Sequence, residues 1–116
     1  PVRFREMISA LEFRSTLNGK AHDDLAALRS EIDMIDASLV ELLSRRMNIA
    51  RDIGVYKKEH AMTILQIERW KHILDQNVQL GEDNGLSPRF IEEVYKAIHQ
   101  ASISTQRSVL KDGSAE

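Results

Sequence analysis

Two cations, an amide and a hydroxyl stand where the helical pattern of this chain calls for apolar side chains. Arg46 lies seven residues after Leu39 on an apolar stripe, and Lys57 lies eleven after Arg46. Eleven residues are close to a whole number of turns at about 3.6 residues per turn, so both cations point the same way. Further along, Ser102 and Gln106 continue a stripe of Ile91, Val94, Ile98 and Val109, with Tyr95 nearby. Four apart, the two polar residues are neighbours on one helix face. Arg69 borders the apolar residues of a third segment. Arginine suits bidentate recognition of a carboxylate, and lysine supplies a compact charge with three donors. No carboxylate on these stripes neutralises Arg46 or Lys57, and an unpaired buried cation is costly, so a bound anion is the partner they call for. For any one of these side chains alone, the competing reading is a stem laid on the apolar edge with its head in water. Taken together, the set describes a pocket for an anionic ligand, built as helical bundles build sites, from side chains that face inward.

Other chemistries find less support. The four histidines, His22, His60, His72 and His99, show no pairing at the spacings that put two ligands on one helix face, so no metal is expected. No glycine-rich loop follows a strand, and nothing suggests a serine or cysteine triad. The pairs Asp23–Asp24 and Glu92–Glu93 read as solvated acids near helix starts. With no cysteine there is neither a disulfide framework nor a thiolate zinc site. A net charge of −2 with mixed signs argues against a nucleic-acid partner. No apolar run approaches the roughly 20 residues that span a membrane, and no signal peptide is recognisable, so no membrane partner and a cytoplasmic location are expected.

The elements that must hold these residues read as helices throughout. Prolines occur only at positions 1 and 88, and apolar residues recur three and four apart. A short amphipathic helix is expected over Arg3–Thr16, with Phe4, Met7, Ile8 and Leu11 on one side, followed by a linker LNGKAHDD whose Asp23 or Asp24 caps the next helix. The first main helix is expected from about Leu25 to about Glu59, with a stripe of Leu25, Leu28, Ile32, Ile35, Leu39, Leu42, Leu43, Ile49 and Ile53. Gly54 interrupts it at a cost of about 1 kcal/mol without ending it. A second helix is expected from about Thr63, as N-cap, to about Leu80, with Gly81 as the stop. After the loop GEDNGLSP, Ser87 caps a third helix with Pro88 at its first position, running to about Leu110 before a disordered tail KDGSAE.

Length bears on assembly. A helix of about 35 residues is about 52 Å long at 1.5 Å per residue, whereas a compact domain of this size has a radius of gyration near 13 Å. Two shorter helices of the same chain cannot cover the apolar stripe, so a homodimer with paired long helices is expected. The alternative is a break at Gly54 and a small monomeric bundle.

The pattern as a whole resembles the all-helical (AroQ-type) chorismate mutases. The resemblance runs through LRSEIDMIDASLVELLSRRMNIARDIGVYK, ILQIERW, DNGLSP and FIEEVYKAIHQASISTQ, covering about Leu25 to Gln106. It implies an all-α fold of three helices per chain, interleaved in an intertwined homodimer, that converts chorismate to prephenate without a cofactor. Arg46 would bind one substrate carboxylate, and Arg29 would reach into the partner's site. Arg29 and Lys57 lie about 42 Å apart along one helix, so they cannot share a site within one chain. Lys57 and Gln106 match the pair that contacts the substrate's ether oxygen, and Ser102 and Arg69 match residues around the carboxylate end. Two positions depart from the commonest pattern. Gln66 stands where many members carry an aspartate, and Trp70 where many carry a glutamate that accepts from the ring hydroxyl. A glutamine still accepts through its carbonyl oxygen, whereas a tryptophan only donates.

The expected organisation is an N-terminal extension and linker over 1–24, a mutase domain over 25–110 and a tail over 111–116. The chain opens on Pro1, which suits a piece of a longer polypeptide or a processed chain as well as an arbitrary cut. The extension also suits a mutase domain fused to a DAHP synthase, in which it would both catalyse and regulate. An isochorismate-pyruvate lyase and a plain helical dimerisation domain are the remaining alternatives.

Overall fold

The computed structural model describes residues 14–115, with side chains from 20 to 111. They form three helices and no strands: α1 (Arg14–Glu59), α2 (Ile67–Asp83) and α3 (Pro88–Ala115). The chain falls into two units, one ending at Leu42 and the other starting at Leu43. In the first, Leu25, Leu28, Ile32, Ile35 and Leu39 are each between 41% and 59% exposed. In the second, Ala50, Ile64 and Ile91 form the buried apolar core. No helix of the described residues is long and apolar enough to cross a membrane.

α1 begins earlier than its apolar stripe suggests. The segment 17–24, expected to be a linker capped by Asp23 or Asp24, is helical. Asn18, Gly19, Asp23 and Asp24 disfavour helix there, but extending an existing helix gains a hydrogen bond for each residue fixed. The helix expected over Arg3–Thr16 lies outside the described residues up to residue 13, Phe4, Met7, Ile8 and Leu11 included. At the other end α3 runs on to Ala115, so residues 111–115 are helical where a disordered tail was expected.

α1 ends at Glu59, as its sequence indicates, by a device its sequence hides. The Met62 N–H donates to the Lys57 carbonyl (2.7 Å) and the Ala61 N–H to the Lys58 carbonyl (3.3 Å). These are the paired bonds of a Schellman stop, whose C′ residue must be left-handed. Ala61 fills that position with φ of 52°, where glycine is usual. Lys57 and Lys58 in the last turn complement the negative end of the helix dipole.

α2 starts at Ile67 with Gln66 as N-cap, three residues later than the expected Thr63 cap. The intervening Ile64 is buried, and its carbonyl accepts from Lys57 Nζ (2.6 Å), which holds the segment in the connection. α2 also runs past Gly81 to Asp83. Gly81 is not a stop: a Cβ there would sit 2.5 Å from Ile91 Cγ1 of α3, so the missing side chain is what lets the two helices close. The stop is Gly85, with φ of 81°, flanked by the Leu86 N–H to Gly81 carbonyl bond (2.8 Å) and the Gly85 N–H to Glu82 carbonyl bond (3.0 Å). α3 starts as expected. Ser87 Oγ accepts from the Phe90 N–H (3.4 Å), and Pro88 occupies the first turn, where its lack of an N–H costs nothing.

Candidate functional site

Ser102 and Gln106 are the buried polar side chains of the described residues, 7% and 6% exposed. Buried polar groups need partners, and theirs are the two inward cations of α1. Arg46 Nη1 donates to Ser102 Oγ (2.6 Å), and the Ser102 hydroxyl points its own hydrogen toward Met47 Sδ (3.9 Å). Lys57 Nζ donates to Gln106 Oε1 (2.9 Å) as well as to the Ile64 carbonyl (2.6 Å). All these acceptors are neutral. The charges are therefore oriented without being neutralised, which is what an anion-binding site requires.

The cations can reach these partners because α1 and α3 approach closely. A Cβ on Gly54 would lie 3.0 Å from Gln106 Cα and 3.3 Å from its Cβ and carbonyl oxygen. The glycine that weakens α1 on propensity is the point where α3 passes. A cavity of about 200 Å³ opens beside this crossing. Arg46, Arg69, Ser102 and Gln106 give it a polar wall, and Ile49, Ala50 and Ile53 an apolar one. Burial holds the Lys57 ammonium below the ordinary lysine range.

The structure thus brings Arg46, Lys57, Ser102, Gln106 and Arg69 into one cluster. Trp70 stacks on His99, ring centroids 4.1 Å apart and planes 20° apart. Gln66 has an exposed side chain and does not line the cavity; its backbone carbonyl accepts from the Trp70 N–H (3.1 Å). Arg29 is exposed and belongs to the unit that ends at Leu42. His99 is the residue that sequence reasoning passed over. Burial lowers its pKa below the ordinary histidine value, and the charges of Arg46 and Lys57 lower it further. The available signal was its place three residues before Ser102 and seven before Gln106, on the same face of α3. Among the described residues no group of three or more His, Asp or Glu side chains could hold a metal ion.

Residues 28–107 match the model of the chorismate mutase type II family. Over 88 residues the chain is 34% identical to a bifunctional chorismate mutase/prephenate dehydratase of Buchnera aphidicola subsp. Schizaphis graminum, a match that covers 76% of this chain and 23% of the relative. It is 28% identical over 91 residues to the bifunctional chorismate mutase/prephenate dehydratase of Escherichia coli K12, covering 78% and 24%. It is also 32% identical over 78 residues to a 4-amino-4-deoxychorismate mutase of Streptomyces pristinaespiralis, covering 67% and 60%. The match thus spans about a quarter of the bifunctional relatives and 60% of the Streptomyces one. With most of its length under the family model, and with the oriented cationic cluster inside the matched span, this chain belongs to the chorismate mutase type II family.

Proposed function

We propose that this chain rearranges chorismate to prephenate, and that it does so as a homodimer in the cytoplasm. The observation that carries the reading is the pair of cations held in one cluster by neutral partners, Arg46 by Ser102 and Lys57 by Gln106. Chorismate carries two carboxylates and an ether oxygen, and its rearrangement is unimolecular and pericyclic. It needs no cofactor, covalent intermediate or general base. Two tasks remain for the protein. One is to hold the flexible substrate folded in its reactive conformer. Arg46 would take one carboxylate and Arg29 of the partner subunit the other, with Arg69 and Ser102 supporting the carboxylate end. The second task is to stabilise the negative charge that builds on the ether oxygen as its bond to carbon breaks. Lys57 Nζ and the Gln106 amide would supply donors there. Gln106 must turn its NH₂ toward the ether oxygen while its Oε1 stays with Lys57, and a carboxamide can do both. Gln66 and Trp70 would border the substrate ring.

The dimer reading is supported by the exposed stripe from Leu25 to Leu39, since each Leu or Ile moved from water into a core is worth about 1.5–3 kcal/mol. The relatives that join a mutase to a second enzyme support a further domain for this protein, and the segment 1–24 would be its junction. A DAHP synthase is the partner domain we propose.

The test is to incubate the chain with chorismate and follow its loss together with the appearance of prephenate. Saturable turnover to prephenate is expected, and release of pyruvate instead would assign the lyase. Arg29→Ala and Arg46→Ala chains, each inactive, should regain activity when mixed, because one of the two sites in a heterodimer is intact. No recovery after demonstrated subunit exchange would refute the shared site.

A further inference from the structure

The Trp70–His99 stack lies outside the roles assigned above to the cationic cluster. His99 precedes Ser102 by three residues and Gln106 by seven, so one face of α3 presents all three. Two of them hold Arg46 and Lys57. Across from this face, the Trp70 indole of α2 lies against the imidazole at 4.1 Å. A stack covers the ring face and leaves both ring nitrogens at its rim. The charged and titratable groups around His99 are Arg46 and Lys57 from α1, and Arg69 beside its stacking partner in α2. Within α3 they are Tyr95 and Lys96 one turn back, with Glu92 a turn further.

We propose that His99 is a proton-linked third contact of the anion site: clamped on Trp70 and one turn from Ser102, its imidazole takes up a proton when a dicarboxylate fills the site. The reasoning is thermodynamic linkage. Arg46, held one helical turn from His99 by Ser102, disfavours a charged imidazole and is a group that a substrate carboxylate would neutralise. Once it is compensated, and once the ligand's own charge faces the ring, the protonated form is favoured. A group that binds a proton more tightly in the complex than in the free protein makes the ligand bind more tightly as pH falls through that interval. Histidine is the side chain whose interval falls in the physiological range. The consequence for specificity is that the site prefers two carboxylates to one most strongly at the acidic end of that range.

The inference rests on the reading of the cluster as a dicarboxylate site, and the experiment separates the two. Trp70 is the sole tryptophan of the chain, and a protonated imidazole stacked on an indole quenches its emission more than a neutral one. Emission of the full chain is titrated from pH 5 to 8 with and without saturating prephenate, and prephenate affinity is measured at pH 5.5 and 7.5. The expected result is a quenching transition that moves to higher pH with prephenate. Affinity should be at least about threefold tighter at pH 5.5, where a full pH unit of proton linkage is worth at most tenfold. Without ligand, Arg46→Gln should move the transition upward by itself, and His99→Gln should abolish both the transition and the pH dependence of affinity. Saturable prephenate binding with an unmoved transition and equal affinity at both pH values would overturn the inference and leave the dicarboxylate reading standing. A pH dependence that survives in His99→Gln would overturn it too. No saturable prephenate binding at any pH would overturn both.

Discussion

Replacing Gly54 with alanine sets two opposing effects against each other at one atom. On propensity alone the change stabilises α1 by about 1 kcal/mol, since glycine is the poorest helix former after proline. Packing opposes it. The new Cβ would lie 3.0 Å from Gln106 Cα and 3.3 Å from Gln106 Cβ and carbonyl oxygen, two of these three being backbone atoms. Carbon–carbon contacts are most favourable near 3.5–4.0 Å, so α3 has to recede by about half an ångström. Overpacking of this kind costs about 1–3 kcal/mol. The net expectation is a destabilisation of up to about 2 kcal/mol. The same displacement carries Gln106 away from Lys57 and stretches a contact of 2.9 Å. Complete loss of such a donor costs about 10²–10³ in rate, so a displaced one should cost about tenfold to a hundredfold in kcat/KM. Thermal melting and chorismate kinetics on one preparation measure both effects. A Gly54→Ala protein that melts above the parent and keeps its full rate would show that α1 and α3 do not depend on this approach.

The connection between α1 and α2 gives an opposite expectation: Ala61→Gly should stabilise by about 1 kcal/mol, read as a higher melting temperature, because a left-handed C′ residue at φ of 52° favours glycine. Gly81→Ala should destabilise by about 1–3 kcal/mol in denaturant titration, because its Cβ would overlap Ile91 Cγ1 at 2.5 Å, which exceeds any gain in propensity. Lys57→Ala should lower kcat about 10²–10³-fold, and retention of more than a tenth of the parent rate would contradict its role. In the parent, kcat/KM should fall on the alkaline side as pH rises through the Lys57 pKa. Because burial lowers that pKa, the fall should begin below the ordinary lysine value, in a pH profile taken with chorismate.

How much of the site could be read along the chain follows from which contacts are periodic. Arg46 and Lys57 share a face because of helical spacing within α1, and Ser102 and Gln106 share one within α3. Their being polar on otherwise apolar stripes is visible in one dimension. Which cation meets which acceptor is not, since that depends on where two helices cross. The helix stops divide the same way. Ser87–Pro88 is a local signal and reads correctly. Gly81 looks like a stop, yet the next glycine, Gly85, is the one that adopts the left-handed turn, because Gly81 is taken up by the packing of Ile91.

The sequence by itself determined an all-helical chain, the faces on which its chemistry lies and the Ser87–Pro88 start of α3, because hydrophobic period and helix capping are local properties. Only the tertiary structure decided that Gly54 is the contact point for Gln106, that the Ile64 carbonyl shares Lys57 and that His99 lies against Trp70 near the cations. Each of these joins residues distant in the chain, and the close packing that brings them together is a property of helices in contact, with no periodic trace in any one of them.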